Sequence, residues 1–78
     1  MRDAIIADLV ASFKANGEDR YYGREVMKIR RKYSLNTKEF IRTIWGENHP
    51  GSNVNFRDFE CGITNKSKFR KAIGKLSC

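Results

Sequence analysis

Few groups in this chain could perform chemistry, and spacing removes most of them. Cys61, Cys78 and the single histidine, His49, fall short of the four ligands a structural zinc site takes, and 16 residues separate the two cysteines. Both thiols are expected to be reduced, with no metal and no cofactor. His49 lies in Glu47-Asn48-His49-Pro50-Gly51, where Pro-Gly signals a turn, and no Ser, Cys or carboxylate is spaced to work with it. There is no nucleophile–base pair, no carboxylate pair with a pocket and no phosphate-binding glycine loop, so an enzyme is not expected. What remains is charge. Sixteen Lys and Arg against nine Asp and Glu give a net charge of +7 in 78 residues, which favours a polyanionic partner, nucleic acid first. From Gly62 onward Lys66, Lys68, Arg70, Lys71 and Lys75 appear with no acid among them.

The elements that must position these cations are helices. Residues 2–16 place Ile5, Ile6, Leu9, Val10 and Phe13 within about 140° of arc at roughly 100° per residue, and Asn16-Gly17 ends the run. Asp3 and Asp8 interrupt this apolar stretch, which argues against a signal peptide or a membrane span and for a cytoplasmic protein. A second helix is expected from about Gly23 to Lys32, with Val26, Ile29, Arg30 and Tyr33 on one face. Asn36-Thr37-Lys38-Glu39 reads as a capping box opening a third helix with Phe40, Ile41, Ile44 and Trp45 as its apolar positions, closed by Gly46. Ser52 or Asn53 caps a short fourth helix carrying Phe56, Phe59 and Glu60, and a fifth runs from about Ser67 to Leu76 through Phe69 and Ile73. The chain therefore reads as one all-α domain over residues 1–78, with no repeat and no low-complexity segment.

Two charges sit on apolar faces where they do not belong, Arg30 on the second helix and Glu60 on the fourth. A buried charge is costly unless paired and hydrogen-bonded, and these two have opposite signs, so they are expected to meet and to fix how the two helices dock.

These segments resemble the lambda-repressor-like, Cro-type (XRE) helix-turn-helix family over about residues 23–77. Val26 to Phe40, with Ile29-Arg30, Ser34-Leu35-Asn36 and Glu39-Phe40, is similar to that family's first motif, and Phe56-Arg57-Asp58-Phe59-Glu60-Cys61-Gly62 to its later one. The family's buried Arg–Glu ion pair falls on Arg30 and Glu60. The chain differs where the family has glycine or small residues, carrying Ser34, Ile41 and Trp45, and its turn from Gly46 to Gly51 is longer. The N-terminal helix is an addition, expected to cover the core in place of the family's last helix.

The resemblance implies that the helix from Ser52 reads DNA in the major groove, with Asn53, Asn55 and Arg57 contacting bases and Val54 a thymine methyl. It places phosphate contacts at Thr37, Lys38, Lys66 and Lys68. The implied function is a sequence-specific double-stranded DNA-binding regulator of transcription, a repressor of phage or mobile-element type. A homodimer is expected, with the N-terminal helix or Tyr21 and Tyr22 as its contact. The alternative is a basic protein-binding module, inhibitor or antitoxin-like, on the same scaffold, with Trp45, His49 and Pro50 as its anchor. RNA binding ranks below both, since no single-strand stacking surface is identifiable.

Overall fold

A computed structural model describes residues 1–47, 51, 53–62 and 68–76. Among these residues all regular structure is helical, in five segments: α1 Arg2–Asn16, α2 Tyr22–Lys32, α3 Thr37–Trp45, α4 Asn53–Glu60 and α5 Lys68–Lys75. None is long and apolar enough to cross a membrane. The helices form one layered globule in which α2 and α4 cross, α3 packs beside α4, and α1 lies against α2, α3 and α5.

The core is drawn from every helix: Ile5 and Leu9 from α1, Val26 from α2, Phe40, Ile41 and Ile44 from α3, Phe56 and Phe59 from α4, Phe69 and Ile73 from α5. A small domain buries a modest fraction of its surface, and here aromatic rings supply much of the bulk. Phe56 stands at the centre, edge-on to Phe69 at 4.7 Å and 5.8 Å from Phe40. Trp45 is half-buried against the same cluster, 5.8 Å from Phe69, and belongs to α3.

Tyr22 corrects the reading of Tyr21-Tyr22 as an exposed pair. Its side chain is fully buried, edge-on to Phe13 at 5.6 Å, and its hydroxyl donates to the Leu9 carbonyl at 3.3 Å. Burial pushes the phenol above its ordinary pKa. Tyr21 keeps 48% exposure, and α1 turns Ile5 and Leu9 into the core while its opposite face stays exposed.

Polar contacts tie α1 down at its start and at its middle. Arg2 donates through Nε and Nη2 to the Ile44 carbonyl at 3.3 and 3.2 Å, satisfying an orphan acceptor in the last turn of α3 with a charge that suits the helix dipole. Further along, Asp8 accepts from the Tyr33 hydroxyl at 2.6 Å and from Lys32 at 3.0 Å, and these two bonds hold its carboxyl below the usual carboxylate range.

Two positions decide the α2 geometry. A Cβ at Gly23 would lie 1.8 Å from the Phe59 carbonyl oxygen, so only glycine lets α2 cross α4 at this distance. At the other end α2 closes in a Schellman turn: Leu35 N–H donates to Arg30 O at 3.3 Å and Ser34 N–H to Arg31 O at 3.0 Å. Ser34 takes φ of 57°, a left-handed conformation that glycine adopts without steric cost. The two sites should respond in opposite senses in urea unfolding. Gly23→Ala should destabilise by about 3 kcal/mol or more, and Ser34→Gly should stabilise by about 0.5–1 kcal/mol.

Candidate nucleic-acid interface

The site is built on the α2–α4 junction. Arg30 Nε donates to Glu60 Oε2 at 2.9 Å, and Arg30 Nη1 donates to the Leu35 carbonyl at 3.0 Å. The Glu60 side chain is 3% exposed and that of Arg30 18%, so water reaches the pair from the Arg30 side only. Burial lifts the Glu60 carboxyl above the ordinary glutamate value, outweighing the opposing hydrogen bond from Arg30 and the charges of Arg30, Arg31 and Arg57. One residue thus binds the end of α4, the turn after α2 and, through its backbone carbonyl, the Leu35 N–H.

With its C-terminal end held this way, α4 buries Phe56, Phe59 and Glu60 and turns another arc outward. Asn53, Arg57 and Val54 fall within about 100° of each other on that arc, with Cys61, a free exposed thiol, between Arg57 and Val54. Val54 is 68% exposed. Asn55 does not join them. It is exposed but lies about 160° around the helix from Arg57, on the side of Gly51.

The helix before α4 is set by its cap. Asn36 Oδ1 accepts from Glu39 N–H at 2.8 Å and Glu39 Oε1 accepts from Asn36 N–H at 3.1 Å, the reciprocal box that its sequence encodes. Thr37, half-buried, and Lys38, exposed, occupy the first two helical positions, where backbone N–H groups lack intrahelical acceptors. Lys38 and Arg42 stand four residues apart on the exposed side of α3, and both line a shallow depression with Ile41, Gly46, Glu47 and Asn53. The start of α4 and the cations of α3 therefore share one surface. Lys68, exposed, opens α5 next to Phe69, and Lys66 lies outside the described residues, as do His49 and Pro50.

One cation of this surface does not emerge from reading motifs alone. Arg42 is signalled by its i, i+4 spacing from Lys38, which puts both on one helical face. Arg70, by contrast, donates to the Asp19 carbonyl and braces the α1–α2 turn.

Comparison with known protein families, with curated proteins and with solved structures finds no match to this chain.

The ion pair generates a test in stability. Arg30→Met leaves a buried carboxylate without its donor and should cost about 3–5 kcal/mol at neutral pH, whereas Arg30→Met with Glu60→Leu should recover most of that loss. The sign with pH follows from the raised Glu60 pKa. The folded chain holds this proton to higher pH than the unfolded chain, so the Glu60 contribution is most favourable below the unfolded pKa and declines as pH rises through the folded one. The deficit of Arg30→Met, read from urea midpoints, should accordingly be small in acid and grow toward neutral pH.

Proposed function

We propose that this chain is a sequence-specific regulator of transcription that binds double-stranded DNA. In this reading it is a cytoplasmic repressor of phage or mobile-element type on a lambda-repressor-like, Cro-type scaffold. α3 and α4 are the two helices of the helix-turn-helix, and α4 enters the major groove. One observation carries the reading: Lys38 and Arg42 line the same depression as Asn53, and Arg57 follows one turn along the exposed arc of α4. Phosphate anchors and base-reading side chains then meet one duplex together. Arginine pairs bidentately with guanine and asparagine with adenine, each worth about 1–3 kcal/mol of discrimination, while Val54 suits a thymine methyl. Lys38, Thr37 and Lys68 serve the backbone, with Lys66 as a further anchor from the sequence. Asn55, on the far side of the helix, contributes least to base reading.

The alternative is a basic protein-binding module anchored on Trp45, His49 and Pro50; Trp45 is half-buried on Phe69, and His49 and Pro50 lie outside the described residues. Net charge alone gives background affinity for any duplex, so the decisive experiment is selection from a random duplex pool at about 150 mM salt. The wild type should enrich a discrete motif, and Arg57→Ala and Asn53→Ala should each relax one position within it. A two-fold motif would add a homodimer. An unenriched pool, or a motif indifferent to both variants, would overturn the reading.

A further inference from the structure

A second cationic cluster lies at the opposite end of α4 from Lys38 and Arg42. Tyr21 is 48% exposed, and the guanidinium groups of Arg20 and Arg24 stand 5.7 and 5.4 Å from its ring centroid. The ring is fixed on its inner side. Tyr21 N–H donates to Asp19 Oδ1 at 2.6 Å, and the ring packs so closely on Gly62, whose φ is 78°, that a Cβ there would lie 2.8 Å from it. Neither guanidinium has a carboxylate partner among the described residues, whereas the neighbouring Lys28 is neutralised by Glu25 at 3.1 Å. Two unpaired arginines held on one rigid ring lose less rotamer freedom on binding an anion than two free ones, and their planar forks match phosphate oxygens.

The cluster is continuous with the DNA-facing arc. An open groove is lined by Tyr21, Arg24 and Lys28 and by Cys61, which stands just past the end of α4, four residues after Arg57. Asp19, Glu25 and Glu60 also line this groove, but each is engaged, by Tyr21 N–H, by Lys28 and by Arg30. A duplex seated on α4 carries a phosphate strand along each border of its major groove, so cations on two different sides of α4 can each meet one of them. We propose that Arg20 and Arg24, held over Tyr21, form a second phosphate clamp, which grips the duplex backbone on the edge of the groove opposite the strand met by Lys38 and Arg42. The clamp rests on the reading of α4 as the DNA-facing helix.

The test is the salt dependence of binding to a labelled duplex of about two helical turns, measured by fluorescence anisotropy between about 50 and 200 mM NaCl. Arg20→Ala with Arg24→Ala should lower the magnitude of the slope of log K against log salt by about 1 per arginine and leave the selected base motif unchanged. Arg20→Lys with Arg24→Lys, which keeps the charge, should retain most of the slope. Both positions are exposed, and an unchanged thermal melt confirms that the variants fold. An unchanged slope in the alanine variant, with the motif still selected, overturns the clamp and leaves the regulator reading intact. A reduced slope with no motif selected overturns that reading and keeps the clamp as a duplex-backbone site. A larger loss of slope on a single-stranded RNA of the same length than on the duplex overturns the clamp as a DNA site.

Discussion

Arg30 is the residue on which the rest of the architecture turns. Its guanidinium reaches Glu60 on α4 and the Leu35 carbonyl beyond α2, while its own carbonyl takes the Leu35 N–H. The Glu60 carboxylate, buried away from water, has few ways to be satisfied, and each of these bonds removes one orientation of α2 relative to α4 and to the start of α3. Whatever net stability the pair contributes, it discriminates against other packings, because any other crossing strands a carboxylate in the core. The exposed face of α4 inherits its direction from that constraint.

The remaining contacts complete the same task. Gly23 lets the α2 backbone touch the Phe59 carbonyl, near the end of α4 that Glu60 occupies. α1 adds Ile5 and Leu9 to the core and sends Arg2 to the last turn of α3, so α3 is held from behind. In a chain this small, a core alone supplies little surplus stability. Polar locks at helix ends are well suited to such a fold, since each satisfies an orphan backbone group and also fixes an angle.

Features encoded by local rules were legible in the sequence. The helical period of Ile5, Leu9 and Phe13, the capping box at Asn36 and Glu39, and the glycine closing α3 place their helices to within a residue or two. The misplaced signs of Arg30 and Glu60 pointed at a pair 30 residues apart because burial leaves an unpaired charge few alternatives. Other features depend on partners that no local pattern names. Tyr22 begins a helix next to an exposed tyrosine, and only the Leu9 carbonyl and Phe13 make its place in the core evident. The Arg2 cap spans 42 residues, and nothing in its own neighbourhood marks it. For the proposed binding surface, sequence motifs supplied residue types without sorting Asn55 from Asn53 and Arg57, although the inward phase of Phe56 and Phe59 that separates them was already readable. Arg42 needed the proximity of α3 to the start of α4.

In the proposed function the Arg30–Glu60 lock presents one face, α3 and α4 together, to a duplex. Backbone amide shifts of labelled protein, followed during titration with a selected duplex, test it most directly. The account predicts the largest changes at Lys38, Arg42, Asn53, Val54 and Arg57, with the outer face of α1 unmoved. Changes centred on α1 and α5, or spread evenly over all exposed lysines, would contradict it.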